Sequence, residues 1–114
     1  DFFTEGMFGS KPISCGTILN IIHGRDGEDG KIASILEFYG FSYISPRLEA
    51  SALSYNKLYT KLLAKSLGVK TVDYEYLTTQ SKREISMPYP IIVKPVRLGS
   101  SIGLSVVKNS DELE

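Results

Sequence analysis

The protein is 114 residues long, and its 13 basic and 13 acidic side chains give a formal net charge of zero. With 42% hydrophobic and 23% charged residues, the composition is typical of a globular protein and excludes a mainly disordered chain. Apolar stretches such as Thr17–Ile22 are too short for the roughly 20 residues of a membrane-spanning helix, and the charge balance argues against a nucleic-acid partner.

The first half of the chain alternates between strand and helix patterns. The β-branched run Thr17–Ile22 predicts a buried strand, followed by a glycine-rich turn. A short strand over Phe41–Ile44 and a helical segment around Ala50–Leu53 come later. Between them, apolar residues at i, i+3, i+4 and i+7 predict an amphipathic helix that ends at Gly40: Ile32, Ile35, Leu36 and Tyr39.

The second half begins with a clear helix and continues with short strands. Six apolar or aromatic residues outline a helix that ends at Gly68: Tyr55, Leu58, Tyr59, Leu62, Leu63 and Leu67. Alternation over Val72–Tyr76 predicts a half-buried strand, and the capping-box spacing of Ser81–Glu84 predicts a short helix. Ile91–Lys94 and Leu104–Val107 predict a hairpin-like strand pair.

These elements predict an α/β fold in two parts. Residues 1–55 are expected to be the end of a parallel-sheet N-terminal domain, and residues 56–114 an α+β domain. The chain starts at Asp1, and Asn109–Glu114 has the pattern of a helix that has only begun, so we predict truncation at both ends. The single Cys15 and the lack of a signal-peptide pattern indicate a cytoplasmic location.

Charge is distributed unevenly along the chain. Residues 1–50 carry 4 basic and 7 acidic side chains, residues 51–95 carry 7 and 3, and residues 96–114 carry 2 and 3. The basic middle third is either a solvated helix face or an anion site near Lys57 and Lys94.

Two glycine-rich segments are candidates for ligand binding. His23 and Gly24 open a turn with glycines at every third position up to Gly30, after a predicted strand and before a predicted helix, where open α/β sheets bind ligands. The second segment, Gly99–Gly103, contains Ser100 and Ser101 and lies between two predicted strands. Its backbone amides and hydroxyls could hold phosphate oxygens, although a plain β-turn rich in Gly and Ser is the commoner explanation of such a segment.

Two lysines are candidates for contacting a phosphate. Lys94 follows three β-branched residues, and burying it would require an anionic partner, whereas an edge position would leave it solvated. Lys57 lies near the start of the second predicted helix. The single His, the single Cys and the scattered acids have no spacing typical of a metal site.

The order of these motifs resembles the D-alanine–D-alanine ligases of the ATP-grasp superfamily, from about Ile21 to Leu113. The resemblance implies an ATP-grasp central domain over residues 56–114. It also implies ligation of two D-alanines at the expense of ATP with Mg²⁺, for peptidoglycan synthesis and hence cell-wall biogenesis and cell shape, with D-alanine and ATP as partners and a possible homodimer. The metal ligands are expected outside this chain, and the isolated fragment is expected to be inactive.

The resemblance also implies residue roles. ATP-binding residues are Lys57, Lys94 and the segment's Gly99, Ser100, Ser101 and Gly103. Ser100 is also implied to be catalytic, because it matches the serine that holds the substrate arrangement together across domains. His23, matched to the first D-alanine subsite, is implied to be catalytic and, with Gly24, substrate-binding.

Two positions depart from the family pattern. Tyr55-Asn56-Lys57 stands where Met-Asp-Lys is usual, so the orientation of Lys57 is open, and Ser45-Pro46 stands where Gly-Ser is common. The alternatives are another ATP-grasp carboxylate–amine ligase, such as a D-alanine–D-lactate enzyme, and a non-enzymatic nucleotide-binding module.

Overall fold

The computed structural model describes residues 2–80 and 84–113. It begins with an antiparallel hairpin of β1 (Phe2–Gly6) and β2 (Gly9–Ile13), in which Phe3 pairs with Pro12. The sequence analysis did not predict this hairpin. All five residues of β2 are exposed, so this strand has no buried apolar face that alternation in the sequence could indicate.

A parallel strand pair follows, as predicted. β3 (Thr17–Leu19) and β4 (Ser42–Ile44) are joined through helix α1 (Lys31–Phe38), and Ile18 pairs with Tyr43. β3 is shorter than predicted because Asn20 leaves the strand: its side chain donates to the Gly27 carbonyl at 3.1 Å and accepts from the Ile22 amide at 3.2 Å. The carboxyl ends of both strands therefore meet the glycine-rich turn.

Helix α1 ends at Gly40, as predicted, but it buries a different face. Gly40 has a φ of 71°, and the Phe41 amide donates to the Leu36 carbonyl at 2.9 Å, which closes the helix end. Ala33 and Leu36 are buried, whereas Ile35 is 48% exposed. The buried face of α1 is therefore rotated by part of a helical turn from the predicted one. The elements that contact α1 are β4 and α2, and they cover the side of Ala33 and Leu36.

Two helices meet at a single residue, Asn56. Helix α2 (Leu48–Tyr55) precedes it and helix α3 (Lys57–Ser66) follows it. Gly68, with a φ of 72°, ends α3 as predicted, and the Val69 amide donates to the Ala64 carbonyl at 2.8 Å. None of the residues of α3 is buried, so the predicted apolar face is present in the sequence but is uncovered in this chain.

The C-terminal part contains the predicted strand pair. β5 (Ile91–Val93) and β6 (Ser105–Val107) are antiparallel, and Val93 pairs with Ser105. A 3₁₀ turn over Ser110–Leu113 comes next. Asn109 caps it, because its side-chain oxygen accepts from the amides of Asp111 and Glu112 at 3.1 and 3.2 Å.

The predicted strand over Val72–Tyr76 is wrong. This segment has no strand pairing in the structure; instead, the Lys61 ammonium donates to the Val72 carbonyl at 2.8 Å and lies 4.9 Å from the Tyr74 ring centre. The Glu75 carboxylate accepts from the backbone of Ser86 at 2.9 Å. Alternation alone could not show that a lysine side chain, and not a partner strand, binds the Val72 carbonyl. Of the predicted helix Ser81–Glu84, residues 81–83 lie outside the described residues, and Glu84 is in irregular structure.

The buried apolar residues form two small groups. One group consists of Ala33 and Leu36 on the covered side of α1. The other consists of Ile91 in β5 and Val107 in β6, which pair across the two strands. In the described ranges, no helix is long and apolar enough to cross a membrane.

Candidate functional site

Lys57 is brought against the base of the Gly99–Gly103 segment, which we call the glycine-serine loop. Its side-chain Nζ donates a hydrogen bond to the carbonyl oxygen of Leu98, 41 residues away. Its backbone amide donates to the Val96 carbonyl at 3.0 Å. One residue at the start of α3 therefore binds both ends of the three-residue stretch that leads into the loop.

Asn56 caps the helix that presents Lys57. Its side-chain Oδ1 accepts from the amides of Leu58 and Tyr59 at 3.1 and 3.2 Å, and the residue is only 5% exposed. An amide is thus sufficient for the capping role at the position where the family usually has an acid. With Lys57 bound to Val96, the first three amides of α3 are all used. This helix end is consequently not an open anion site, and a positive charge there comes from the Lys57 side chain.

The joint between α2 and α3 is held by the hydroxyl of Thr60. Its Oγ1 lies 3.0 Å from the Leu53 carbonyl in α2 and 3.1 Å from the Asn56 carbonyl. The Thr60 backbone amide also donates to the Asn56 carbonyl at 2.9 Å. The last turn of α2 and the first turn of α3 therefore share one polar anchor, which fixes the backbone on which Lys57 stands.

The glycine-serine loop has left-handed backbone at three of its five residues. Ser100, Ser101 and Gly103 have φ values of 51°, 60° and 70°. The Ile102 amide donates to the Gly99 carbonyl at 3.0 Å, which makes a tight turn. A non-glycine residue in this region costs conformational energy, so two adjacent serines there are a local strain, and both are exposed.

Lys94 and Pro95 border the other side of the loop. A Cβ on Gly103 would lie 2.8 Å from Pro95 Cγ, so only glycine allows the loop to return against the proline. Lys94 directly follows β5 and is exposed. The sequence had left two interpretations open for Lys94, a buried lysine with an anionic partner and a solvated lysine at the sheet edge. The structure agrees with the second, so Lys94 needs no buried anionic partner in this chain.

His23 and Gly24 form a second group around Glu28. The Glu28 Oε2 accepts from the Gly24 amide at 2.8 Å, and Oε1 lies 3.8 Å from His23 Nδ1. The His23 side chain is 95% exposed. Helix α1 begins only at Lys31, so the Glu28 carboxylate precedes the helix and closes the turn.

Asp29 and Lys31 stabilise the same turn. Burial raises the pKa of the Asp29 carboxyl, but hydrogen bonds from the backbone amides of Lys31 and Asp26 outweigh this effect, so that its pKa lies below the usual value. The Lys31 ammonium bonds the Asp26 carboxylate, which raises the pKa of Lys31. Two acids and a base thus hold the turn that leads into α1.

The His23 group borders a cavity of about 450 Å³ at the carboxyl ends of β3 and β4. Its walls include the turn at Gly27, the Ser45-Pro46 pair and the C-terminal half of α2. Ser51, which is buried, donates to the Pro46 carbonyl at 3.3 Å. A cavity thus lies at the sheet edge where a ligand site was predicted, and the binding of a ligand there stays a prediction.

Several residues of these two groups were missed by the sequence analysis. Asn56 directly precedes a helix, and this position is a known capping signal; Asn20, at a strand end before a glycine-rich turn, is a weaker one. Ser51 and Tyr55 line the cavity, but the sequence had indicated only helix at these two positions and no ligand site. Across residues 2–80 and 84–113, no group of three or more His, Cys, Asp or Glu side chains could hold a metal ion.

Comparison with known proteins identifies the chain's relatives. The family model described as D-ala D-ala ligase C-terminus matches residues 63–114. A D-alanine--D-alanine ligase of Sulfurovum sp. (strain NBC37-1) is 68% identical over 113 residues, which are 99% of this chain and 33% of that protein. The chain is a homologue of the D-alanine–D-alanine ligases. One from Campylobacter concisus (strain 13826) is 62% identical over 98% of this chain and 32% of its own length.

Solved ligase structures share the fold. The D-alanine–D-alanine ligase of Helicobacter pylori has a TM-score of 0.85 at 48% identity, over 97% of this chain and 35% of that one. The Bacillus anthracis ligase complexed with ATP has a TM-score of 0.75 at 27% identity, over 86% of this chain and 34% of its own. The ATP-grasp assignment is confirmed, and the chain spans about a third of the length of the relatives it matches, in agreement with the prediction of a partial chain.

Proposed function

We propose that the protein containing this chain joins two D-alanines into D-alanyl-D-alanine at the expense of ATP. The observation that carries this proposal is the contact between Lys57 and Leu98. This contact brings the lysine at the start of α3 to the glycine-serine loop. The same loop lies against Pro95 at Gly103, so the end of β5 and Lys94 are close to it as well. A cluster of this kind suits a triphosphate.

The chemistry assigns each phosphate-site residue a task. A carboxylate oxygen of the first D-alanine attacks the γ-phosphorus of ATP, ADP leaves, and an acyl phosphate forms. The ammonium groups of Lys57 and Lys94 stabilise the negative charge on the transferring phosphoryl group. Backbone amides and hydroxyls of the glycine-serine loop, namely Gly99, Ser100, Ser101 and Gly103, hold its oxygens, and Ser100 also links the phosphate site to the substrate.

The second step joins the two amino acids. The amine of the second D-alanine attacks the acyl carbon, phosphate leaves, and the amine loses a proton. We place the first D-alanine in the cavity beside His23 and Gly24. The Gly24 amide is bound to Glu28, so His23, whose side chain is exposed, is the group of this pair that is available to a substrate.

The wider assignments belong to the same proposal. Residues 1–55 are the end of the N-terminal domain and residues 56–114 part of the ATP-grasp domain, with the boundary at the α2–α3 joint. The protein acts in the cytoplasm in peptidoglycan synthesis, and a homodimer is the proposed assembly. Mg²⁺ is expected on ligands outside this chain. Because the described residues include no acidic cluster for it, no step here is assigned to the metal.

Replacement of Lys94 tests the phosphate site. In the full-length protein, Lys94→Ala should lower kcat/KM for ATP on the order of 100-fold, because a charged contact to the phosphoryl group is lost. Lys108→Ala is the matched control: each lysine directly follows a strand of the same pair, but the two lie at opposite ends of it. Equal effects of the two changes would contradict the role of Lys94.

The product distinguishes the proposed substrate from its alternative. With D-alanine and D-lactate offered together, the full-length protein should form the dipeptide rather than the D-alanyl-D-lactate ester. If the ester predominates, D-lactate is the second substrate instead of D-alanine, and the proposed role of the phosphate site is unaffected. ATP binding without either product would favour the non-enzymatic module.

A further inference from the structure

Lys57 stands where a cation is poorly accommodated by its own helix. It is the first residue of α3, and the first turn of that helix contains no acid. The partial positive charge at a helix N-terminus disfavours a lysine there. The Leu98 carbonyl compensates, since it offers the ammonium an oxygen acceptor. The position of Lys57 is therefore explained by its contact with the loop rather than by α3.

The contact with Leu98 leaves part of the ammonium free to bind elsewhere. A lysine ammonium has three N–H donors, and one hydrogen bond, to the Leu98 carbonyl, is observed. The side chain is half-buried rather than enclosed. Because Leu98 directly precedes Gly99, a phosphate bound to the remaining donors would be held at a fixed distance from the loop's first amide.

The backbone of Lys57 cannot adjust independently of this contact. Its amide is bound to the Val96 carbonyl at 3.0 Å, and Asn56 and Thr60 fix the turn on either side. A movement of the α3 start would therefore carry Val96 and Leu98 with it. Lys57 and the start of the glycine-serine loop are thus joined through both the side chain and the backbone of this residue.

We infer that Lys57 is a positioning residue for the glycine-serine loop, in addition to any contact it makes with ATP. Its ammonium stays on the Leu98 carbonyl in both the free and the nucleotide-bound protein and sets the loop in register with the phosphates. This inference rests on the proposed function for the identity of the ligand. The tether itself involves only residues of this chain, so it can be measured without nucleotide.

Hydrogen exchange in the nucleotide-free, full-length protein tests the tether. The amides of Ile102 and Leu104 are bound within the loop, to the carbonyls of Gly99 and Ser101 at 3.0 and 3.2 Å. Lys57→Met should speed their exchange about tenfold, the effect of losing one charge-assisted hydrogen bond. Lys57→Arg, which keeps the charge and the donors, should restore slow exchange and the KM for ATP.

Lys61→Met is the matched control. Lys61 lies one turn further along the same helix, and its ammonium also donates to a backbone carbonyl, that of Val72. Its removal should leave the exchange of Ile102 and Leu104 unchanged. Should Lys57→Met fail to fold, Lys57→Gln, whose shorter amide lacks the charge, takes its place with the same expected faster exchange.

The outcomes separate this inference from the proposed function. Unchanged exchange in Lys57→Met overturns the tether, even where the KM for ATP rises, and leaves Lys57 as a simple ATP ligand. Equal acceleration by Lys57→Met and Lys61→Met also overturns it. Faster exchange in Lys57→Met alone supports the tether. If, in addition, Lys57→Met and Lys94→Ala form D-alanyl-D-alanine as fast as the unchanged protein, the tether stands and the proposed phosphate site fails.

Discussion

The backbone of Ile22 occupies the space that a side chain on Gly27 would need. A Cβ placed on Gly27 would lie 2.1 Å from the Ile22 carbonyl oxygen. The carbonyl of Gly27 is in turn bound by Asn20, so opening the turn to make room would break this hydrogen bond. Ile22 and Gly27 therefore fix the curve of the chain that places His23 at the cavity edge.

Gly27→Ala is expected to destabilise the protein by about 3 kcal/mol, because the new methyl group meets backbone rather than a movable side chain. Gly24→Ala is the comparison: its Cβ would meet nothing within 4 Å, although its φ is 76°, and the left-handed backbone alone should cost about 1 kcal/mol. Chemical denaturation measures both values. A smaller loss for Gly27→Ala than for Gly24→Ala would contradict the predicted clash.

The two outer glycines of the glycine-serine loop should respond differently to a methyl group. Gly103→Ala combines a φ of 70° with a contact 2.8 Å from Pro95 Cγ, and a loss of about 2 kcal/mol is expected. At Gly99 the added Cβ would meet nothing within 4 Å, so the stability of Gly99→Ala should be close to that of the unchanged protein. The free energy of unfolding of both variants tests this difference. Equal losses of stability in Gly103→Ala and Gly99→Ala would show that Pro95 moves to accommodate the new methyl group.

The cap of α3 should depend on an acceptor oxygen and not on charge. Asn56→Ala leaves the Leu58 and Tyr59 amides without their partner and should cost about 1 kcal/mol. Asn56→Asp keeps the oxygen and should retain full stability. Asn109→Ala is the control, since Asn109 caps in the same pattern but is exposed; its loss should be smaller. A loss in Asn56→Asp equal to that in Asn56→Ala would argue against the cap.

Acid should loosen the segment that Glu75 holds. Its Oε1 accepts from the Ser86 hydroxyl at 2.7 Å and from the Ser86 and Met87 amides at 2.9 and 3.1 Å. The Ser86 hydroxyl, more than any other group, lowers the pKa of Glu75, against a smaller opposing effect of burial. A carboxyl with a lowered folded-state pKa stabilises the protein above its unfolded-state pKa and loses this effect as the pH falls through the folded-state value.

The pH dependence of the Ser86 and Met87 amide resonances measures this effect. Between neutral pH and the usual glutamate value of 4.5 they should stay constant, and below it they should shift as the hydrogen bonds are lost. Glu75→Gln should abolish this shift, whereas Glu5→Gln, in the N-terminal hairpin, should preserve it. Persistence of the shift in Glu75→Gln would assign it to another acid.

The fold was predictable where local chemistry decides the structure. Gly40 and Gly68 end helices because only glycine readily takes the left-handed turn at a helix end, and both have that conformation. The β-branched runs around Ile18 and Ile92 form strands with partners of the predicted direction. Val72–Tyr76 has an equally clear alternation, yet Lys61 binds the Val72 carbonyl and Glu75 binds the backbone of Ser86 instead of a partner strand pairing there. Alternation reports which residues could share a face and not whether a partner strand exists.

The candidate site divides in the same way. The order of the motifs, from the His23–Gly30 turn through Ala50-Ser51-Ala52 and the two lysines to the glycine-serine loop, was sufficient to predict the ligase family, because each motif is short and contiguous. That Lys57 holds Leu98 and that Glu28 holds Gly24 was decided only by the tertiary structure. A backbone carbonyl or amide has no sequence signature, so which side chain satisfies it depends on where the chain returns in space.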